Sequence, residues 1–578
     1  MKKNVILKGI AVSNGIGIAK IRIYHTNLDD LPEYILDANT IAEELDRYYN
    51  SLNEVNLLFQ QDQKQVARDF GKSHAQIYET YHLIIEDVFF QEEIPETIRS
   101  DAKNAESVIN KKLKLYEKHF EGVKDEYLRE RLYDIRGVSR RLIYHLMQKD
   151  YSAGYDQEGS NLIIAKELTP ADSIHFHHSS LKGIATEFGG QTSHAAILAR
   201  SLEVPALVGV SGVLKHAKEG ETAILDGIEG KLILNPDSKM LADYRNRKRK
   251  YNRHKIKLME VVSKPLDHLN DTNIKLLANI NDATEIGVAH KYKADGVGLY
   301  RTELSFIAKE KLLSEEEQFQ LYKEILSAFP GKEVVIRLLD LGGDKFLPFS
   351  QAHREPNPFL GLRSIRILLK QPEIFKIQLR AILRASVFGD VKILIPMISS
   401  REEILATKRI YKSTKEELRK QKTAFVEEIP VGIMVEIPSS AISIDCLINE
   451  VDFLSIGTND LVQYTLAVDR NNDRVADFYQ PLNPAVLTLI KLVAESGEKH
   501  NKPVSICGEI AGEPLYTQLL LSLGINQLSM QPSSLPIIKN IILHTKEKDL
   551  QEIRKKMTTC KNINNFRKFL HNKIRGFV

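Results

Sequence analysis

The sequence has few cysteines and no long apolar run, and both absences restrict the class of protein. The three cysteines, Cys446, Cys507 and Cys560, lie far apart and form no Cys-x-x-Cys pair. That spacing offers no zinc site and is typical of proteins in a reducing compartment. No apolar stretch approaches the roughly 20 residues that span a bilayer, and the first residues lack the apolar core of a signal peptide. We therefore expect a cytoplasmic protein with no membrane partner.

An excess of charge of one sign is also missing. The 80 Lys and Arg residues nearly balance 76 Asp and Glu residues, and the net charge of +4 is too small to favour a nucleic-acid partner. Basic residues crowd between positions 546 and 575, but acids are interleaved in part of that segment, which favours a solvated helical surface. At 578 residues, 43% apolar and 27% charged, the chain has a globular composition and is too long for one core. We expect three or four domains.

The N-terminal half alternates between strand-like and helical patterns. Residues 5–24 are predicted to form short strands, and strand-like runs return between 162 and 225. The segment between them is rich in charge and has few helix breakers. One stretch of it places apolar residues on a single helix face, at Ile77, Tyr81, Ile84 and Val88. The predicted division is an α/β domain of residues 1–24 and 148–234, an inserted all-helical subdomain of residues 25–147, and a linker helix of residues 235–263.

The C-terminal part has a different pattern, in which eight short apolar or β-branched runs alternate with helical stretches. The runs are 275–280, 296–299, 334–338, 391–396, 432–436, 453–457, 503–507 and 528–530. Eight such runs are what a (β/α)8 barrel requires, whereas a doubly wound open sheet needs fewer. No Gly-x-Gly-x-x-Gly motif opens a helix here. We predict a TIM-type barrel over residues 264–578.

One histidine stands where a turn of small residues leads into a predicted helix, in the segment Gly189-Gly190-Gln191-Thr192-Ser193-His194. Glycines permit a tight turn, and Thr and Ser are residue types that cap a helix start. The free N–H groups and the dipole of a first helical turn suit a phosphate. His194 carries the only side chain there that can act unaided as a nucleophile near neutral pH, so a phosphorylated imidazole is one interpretation. The other is that His194 only caps the helix or packs against a neighbour.

Charged residues cluster after the predicted barrel strands, where barrel enzymes carry their chemistry. In chain order they are Arg301 and Glu303, Arg337 and Asp340, Arg363 and Arg366, Glu436, Asn459 and Asp460, and Arg470, followed by Cys507. Several arginines around one cavity predict a small, multiply charged anion, because guanidinium groups bind phosphate and carboxylate through paired hydrogen bonds. Glu436 and Asp460 in the same cavity would bind a hard cation such as Mg²⁺.

Each of these residues also has a purely structural interpretation. An arginine can form a salt bridge to a barrel carboxylate, although the shared location at one face argues against an all-structural set. Cys507 taken alone is more typical of a buried small apolar residue than of a catalyst.

Seven segments of the sequence form a specific set. They are residues 189–194, 298–303, 337–345, 357–363, 432–436, 455–461 and 507–509. Together they resemble enzyme I, the phosphoenolpyruvate–protein phosphotransferase of the bacterial sugar phosphotransferase system, over essentially the whole chain. The histidine segment by itself is shared with pyruvate phosphate dikinase and phosphoenolpyruvate synthase.

The resemblance implies a phosphoryl relay. In that family the histidine matching His194 takes phosphate from phosphoenolpyruvate and passes it to a histidine of the carrier protein HPr. The cysteine matching Cys507 protonates the enolate to release pyruvate. The resemblance also implies Mg²⁺ binding by Glu436 and Asp460. The residues it implies for substrate binding are Arg301, Arg337, Asn459, Asp460 and Arg470.

The resemblance also implies partners and a motion. The helical subdomain of residues 25–147 resembles the HPr-docking subdomain, and the barrel resembles a domain that forms a homodimer. Because His194 and the barrel pocket are predicted in different domains, we expect the histidine domain to swing about the 235–263 helix.

Three positions depart from the family pattern. Gln191 stands where many members have Arg, which removes one possible phosphate contact. Asn14 replaces a common Pro, and Gly137 replaces an acidic residue near the docking subdomain. We interpret them as tuning, with Gly137 bearing on the strength of carrier coupling.

Two other functions compete with the relay. A dikinase or synthase would need a large ATP-binding domain before the histidine, but the preceding residues are largely helical and have no glycine-rich phosphate loop. A non-catalytic, regulatory relative would be expected to have lost one of the residues that carry the chemistry. All of them are present, namely His194, Arg301, Glu436, Asp460 and Cys507.

Overall fold

The computed structural model describes residues 4–24, 31–37, 40–69, 77–120, 126–148, 161–168, 181–190, 193–202, 204–266, 273–309, 312–342, 357–470, 472, 474–559 and 562–577. The chain divides into two compact units, Met1–Lys255 and Ile256–Val578. The finer domain limits given above stay a prediction.

The first unit contains an eight-stranded sheet, in the order β1-β8-β7-β3-β4-β5-β6-β2. The central strands β3 to β6 pair in parallel, and the outer strands pair antiparallel. The strands are β1 (Val5–Lys8), β2 (Ile10–Ser13), β3 (Ile16–Tyr24), β4 (Asn161–Ala165), β5 (Gly183–Thr186), β6 (Ala206–Val208), β7 (Thr222–Asp226) and β8 (Lys231–Leu234). Nearly every residue of β4, β5 and β6 is buried, as expected of parallel strands covered on both faces. β8 is not among the predicted runs.

The described chain between β3 and β4 is mainly helical. In the described residues the helices are Thr40–Asp69, Ile77–Ile85, Ile94–Asp101, Ala105–Phe120 and Glu126–Leu146. Their core combines aliphatic and aromatic side chains, with Tyr48, Phe59 and Tyr81 fully buried. The expectation for Val88 was wrong: the helix ends at Ile85, a π-helical turn follows at Phe89–Glu93, and Val88 is 56% exposed. The turn changes the phase of the apolar pattern, so Phe89 is buried instead.

Three further helices of the described chain begin in the first unit. They are His194–Ser201, Val213–His216 and Ser238–Val262. The last lies within the predicted linker, and Tyr244 near its start packs against Ile16, Ile224 and Ile233 of the sheet. None of the helices in the described ranges combines the length and the apolarity needed to cross a membrane.

The second unit is a closed barrel of eight parallel strands, in the order β10-β11-β12-β13-β14-β15-β16-β9. The strands are β9 (Lys275–Ile280), β10 (Val297–Tyr300), β11 (Val334–Arg337), β12 (Val391–Ile395), β13 (Val431–Val435), β14 (Leu454–Ile456), β15 (Val504–Ile506) and β16 (Gln527–Met530). Each predicted run coincides with one strand. The predicted multidomain α/β architecture with a TIM-type barrel is confirmed.

Helices follow the barrel strands. In the described residues they are Thr284–Lys291, Glu303–Lys309, Glu315–Ala328, Ile365–Lys370, Pro372–Ala385, Arg401–Lys420, Pro438–Ile442, Ile444–Leu447, Thr458–Leu466, Pro484–Lys499, Pro514–Ser522, Leu535–His544, Glu547–Thr559 and Ile563–Ile574. Local sequence sets several boundaries. Ser314 and Glu317, for example, bond each other's backbone N–H groups in a capping box that starts Glu315–Ala328.

One arginine ties the inserted helices together. Arg47 lies 2.7 Å from a carboxylate oxygen of Glu44 and 2.7 Å from one of Glu106, and it donates to the Leu146 carbonyl at 3.0 Å. The two carboxylate side chains are only 6% and 4% exposed. Burial opposes the ionisation of Glu106, but the hydrogen bonds from Arg47 and Asn104 hold its pKa below the ordinary value. Arg47 is therefore the counterion that allows Glu106 to be buried as an anion, and it also pairs with the buried side chain of Glu44.

Replacing this counterion should loosen the helical insertion. We expect Arg47→Met to lower the local free energy of unfolding by about 3 kcal/mol, because two buried carboxylates lose their partner. Native-state hydrogen exchange of the Thr40–Asp69 and Ala105–Phe120 amides measures the effect. Lys111→Met, which breaks a pair with Asp101 whose lysine is 57% exposed, is the control and should cost less than about 1 kcal/mol. Equal, small losses in both variants would show that the Arg47 cluster is not structural.

Candidate active site

The residues predicted to act together lie at the carboxyl ends of the barrel strands. Arg301 directly follows β10, Arg337 ends β11, Glu436 follows β13 and Cys507 follows β15. Asp460 lies in the first turn of the helix that follows β14. Because all barrel strands run parallel, these ends share one face of the barrel.

Two arginines at this face are buried and share a carboxylate. Arg337 bonds Glu303 through Nη2, and its Nη1 lies 3.2 Å from Asp340 Oδ2. Arg363 Nη2 lies 3.2 Å from Asp340 Oδ1 and 3.5 Å from Asp460 Oδ2. The Nε atoms of both arginines are buried and have no hydrogen-bond partner among the described residues. Both arginines thus have structural ion pairs and also keep a donor that a bound anion can use.

The other two arginines at this face are freer. Arg301 is half-buried, and its side chain forms no ion pair with any residue in the described ranges. Arg470 lies 3.8 Å from Asp460 Oδ1 and is 26% exposed, while its backbone N–H donates to Gln463 Oε1 at 3.1 Å. These two guanidinium groups are the ones that an incoming anion would meet with the least disruption of existing ion pairs.

Glu436 is a buried acid whose ionisation is strongly perturbed. Its Oε1 accepts a hydrogen bond of 2.7 Å from the backbone N–H of Met397. Burial, together with the negative charges of Asp460 and Asp340, raises its pKa to about 8, although Arg337 and Arg363 oppose the shift. A buried carboxyl whose pKa is raised by neighbouring negative charges favours a bound cation.

A Mg²⁺ ion fits the acids of this face. Asp460 Oδ1 is buried and has no hydrogen-bond partner in the described structure. No group of three or more His, Cys, Asp or Glu residues suited to a metal is found among the described residues. Mg²⁺ does not require one, since it is commonly held by one or two carboxylates, waters and substrate oxygens. Glu436 and Asp460 would supply those carboxylates.

The loop after β15 is attached to the helix after β14. Asn459 and Glu509 bond each other twice at 2.9 Å, once between side chains and once from the Glu509 N–H to Asn459 Oδ1. Between them, a Cβ atom on Gly508 would lie 1.7 Å from Thr458 Oγ1, so only glycine permits this close approach. The amide of Asn459, predicted to bind substrate, thus has a protein partner at each end.

Cys507 is 2% exposed at the start of this loop. Burial raises the pKa of its thiol, although a hydrogen bond from Ser455 and the charges of Arg337 and Arg301 lower it. The thiol is therefore the form expected near neutral pH, as a proton donor requires.

The sequence assigned no individual role to several residues of this face. Glu303, Asp340 and Arg363 stand in the recognised segments, but their pairing partners were not predicted. Tyr464, whose hydroxyl accepts a 3.0 Å hydrogen bond from Arg363, was not singled out. Its spacing of four from Asp460 on one helix was the available signal.

His194 is the first residue of the helix His194–Ser201, as the turn pattern predicts. Gly189 has φ of +119°, a left-handed conformation that favours glycine. Ser193 occupies the N-cap position, but its side chain makes no capping hydrogen bond, and its Oγ has no partner among the described residues. Gln191 and Thr192 lie outside the described residues. Of the other departures, Asn14 is exposed and Gly137 is buried in the helix Glu126–Leu146.

Three family models match successive regions of this chain. They describe the N-terminal domain of phosphoenolpyruvate-utilising enzymes (residues 8–131), their mobile domain (158–230) and their phosphoenolpyruvate-binding domain (255–547). The last coincides with the barrel and the first with most of the inserted helices. The fold and the site thus define a phosphoenolpyruvate-utilising enzyme.

Curated relatives identify which family of phosphoenolpyruvate-utilising enzymes the chain resembles. The chain is 39% identical over 529 residues to the phosphoenolpyruvate-protein phosphotransferase of Bacillus sp. (strain S), covering 92% of this chain and 91% of that protein. It is 37% identical over 551 residues to the same-named protein of Bacillus subtilis (strain 168), covering 95% and 96%. A solution structure titled Enzyme I is 33% identical, with a TM-score of 0.35, and covers 43% of this chain and 99% of that one. The chain belongs to the phosphoenolpyruvate-protein phosphotransferase family.

The raised pKa of Glu436 predicts how stability depends on pH without metal. A carboxyl whose folded pKa exceeds its unfolded value stabilises the fold below about pH 4.5, and that stabilisation is lost as pH rises toward about 8. We expect the free energy of unfolding, measured by denaturant titration in EDTA, to fall over this range. Glu436→Gln should flatten that slope, whereas the control Glu416→Gln, on an exposed position of the barrel, should keep it. An unchanged slope in Glu436→Gln would show that this acid titrates normally.

Proposed function

We propose that this chain transfers the phosphoryl group of phosphoenolpyruvate to His194 and then to a histidine of a small carrier protein of the HPr type, with release of pyruvate. This is the first step of a phosphotransferase system for sugar uptake. The observation that carries the proposal is the barrel face itself. There, buried arginines with unpartnered donors, two carboxylates suited to Mg²⁺ and a buried thiol lie at the carboxyl ends of the barrel strands.

The arginines would bind the two anionic groups of the substrate. Arg301 and Arg470 have the fewest ion pairs, and Arg337 offers its unpartnered Nε, so these three would hold carboxylate and phosphate. Asn459 and Asp460 would complete the substrate contacts. Mg²⁺ on Glu436 and Asp460 would supply neutralisation of the negative charge that develops during phosphoryl transfer.

The residues present account for each bond that forms or breaks in the proposed reaction. A neutral imidazole nitrogen of His194 attacks phosphorus, the bond from phosphorus to the enol oxygen breaks, and the electron pair passes to the enolate. The enolate carbon then takes the proton of the Cys507 thiol, which produces pyruvate and leaves a thiolate.

The remaining assignments rest on the resemblance and on the names of the relatives. We assign carrier docking to the helical subdomain of residues 25–147, the phosphohistidine to the α/β domain of residues 1–24 and 148–234, and homodimer formation to the barrel of residues 264–578. We expect the enzyme to act in the cytoplasm, where phosphoenolpyruvate is available.

His194 is the decisive residue for this function. Incubation with phosphoenolpyruvate labelled in its phosphate, plus Mg²⁺, should leave an acid-labile, base-stable label on the wild-type chain. His194→Ala should take up none, because no other imidazole occupies that helix start. His216→Ala, which removes an exposed histidine of the same unit, should label normally. Label retained in His194→Ala would rule out the assignment.

The role of Asp460 can be tested by metal binding as well as by activity. We expect Asp460→Asn to raise the Mg²⁺ concentration at half-saturation by about tenfold or more, since a neutral amide is a far weaker Mg²⁺ ligand than a carboxylate. Binding is measured directly with Mn²⁺ as a paramagnetic substitute, and turnover is measured in parallel. The control is Asp445→Asn, which alters a carboxylate that is 58% exposed. Wild-type metal affinity in Asp460→Asn would make Asp460 a structural partner of Arg363 and Arg470 only.

A further inference from the structure

A chain of buried polar side chains surrounds Cys507 inside the barrel. Ser529 Oγ donates to Asn279 Oδ1 at 2.6 Å, and Asn279 Nδ2 donates to the backbone carbonyl of Cys507 at 3.0 Å. On the other side, Ser455 Oγ donates to Cys507 Sγ at 3.3 Å. The four residues come from β9, β14, β16 and the end of β15, which are consecutive around the barrel.

These polar groups stand where a barrel interior is normally apolar. Ser455 and Ser529 are 0% exposed and Asn279 is 6% exposed, and they lie beside the apolar residues Leu299 and Met434 that pack around Cys507. Burying a hydroxyl or an amide is unfavourable unless it is hydrogen-bonded. Here the hydrogen bonds converge on one residue, which points to a role in the chemistry of that residue.

The two contacts fix different parts of Cys507. The bond from Asn279 holds the main chain, together with the 3.1 Å bond from the Cys507 N–H to the Ile456 carbonyl. The sulfur lies between the Ser455 hydroxyl and the Ile456 carbonyl, which is 3.7 Å from Sγ. Three charged groups act on the thiol from the ends of other barrel strands, namely Arg337 at β11, Glu436 after β13 and Arg301 after β10.

We propose that Asn279 and Ser455 are positioning residues that hold Cys507 as the proton donor to the enolate, Asn279 through the backbone and Ser455 through the sulfur. This inference rests on the proposed function. When the S–H bond breaks and its proton moves to the enolate carbon, the electron pair stays on sulfur. The Ser455 hydroxyl already points at that sulfur, so its hydrogen bond becomes charge-assisted and stabilises the thiolate that forms.

Ser455→Ala separates phosphoryl transfer from protonation. In a single turnover, label on His194 is measured in base-quenched samples. Pyruvate is followed without quenching, by its reduction with excess lactate dehydrogenase and NADH. We expect labelling within about twofold of wild type, with pyruvate formation about 10- to 100-fold slower, as the loss of a hydrogen bond to a charged group implies. Asn279→Asp keeps the side-chain size but removes the amide donor, and it should show the same lag.

Ser505→Ala is the matched control. Ser505 is a buried serine of β15 that pairs in register with Ser455, but its hydroxyl donates to the Leu454 carbonyl at 3.3 Å and does not bond the thiol. This variant should produce pyruvate in step with labelling. An equal lag in Ser505→Ala, or no lag in Ser455→Ala, would overturn the proposal.

The pH dependence of Cys507 alkylation distinguishes a lost hydrogen bond from looser packing. The rate constant for alkylation of Cys507 is measured at a series of pH values, and peptide mapping separates its product from that of the exposed Cys446. We expect Ser455→Ala to move the midpoint of this pH dependence upward by about one pH unit. A uniform acceleration at every pH, with an unchanged midpoint, would indicate only a loosened core and would overturn the proposal. If the wild-type chain took no label on His194, the proposed function would fail, and the shifted midpoint would still establish the Ser455 contact.

Discussion

Asp340 holds two buried guanidinium groups at once, and the charge arrangement at the mouth of the barrel depends on that shared carboxylate. Its two oxygens lie 3.2 Å from Arg337 and 3.2 Å from Arg363. Removing charges from water costs several kcal/mol per ion, so such groups stay buried only with close partners of opposite sign. The same arginines reach Glu303 and Asp460, and through them the network connects the ends of three strands, β10, β11 and β14. The positions of the acids at this face follow from this balance.

The backbone at this face is strained as well as charged. Met397 has φ of +58° and Ser364 has φ of +55°, conformations that cost residues other than glycine about 1–3 kcal/mol. Both are almost completely buried, and each donates a backbone hydrogen bond of 2.7 Å, Met397 to Glu436 and Ser364 to the Leu341 carbonyl. The strain thus aims an N–H group at an acid of the site and turns the chain directly after Arg363.

The sequence predicts the barrel well because parallel strands buried on both faces appear as short apolar runs. It predicts β8 poorly, since Lys231–Leu234 is brief and follows a turn that resembles a loop. At the site, the predicted strand ends identify which charged residues lie at one face of the barrel. They do not identify which of these residues form ion pairs with each other. The resemblance implies that Arg337 binds substrate, and the sequence leaves a salt bridge open as its structural interpretation. In the structure it bonds Glu303 and Asp340. Which of several nearby carboxylates pairs with a given arginine depends on side-chain geometry in the folded protein, and the spacing of residues along the chain does not encode that geometry.

The close approach of Gly508 to Thr458 has a consequence for how this gene tolerates change. A methyl group at position 508 would collide with the first turn of the helix that carries Asp460. The backbone of Gly508 has φ of −75°, which any residue can adopt, so selection there acts on volume alone. The loop that begins at Cys507 and the helix that carries Asp460 therefore share one point of mutational vulnerability that has no functional group of its own. In a survey of random variants, this chemically inert position should tolerate substitution as poorly as Cys507 and Asp460, which lie on the two sides of the contact.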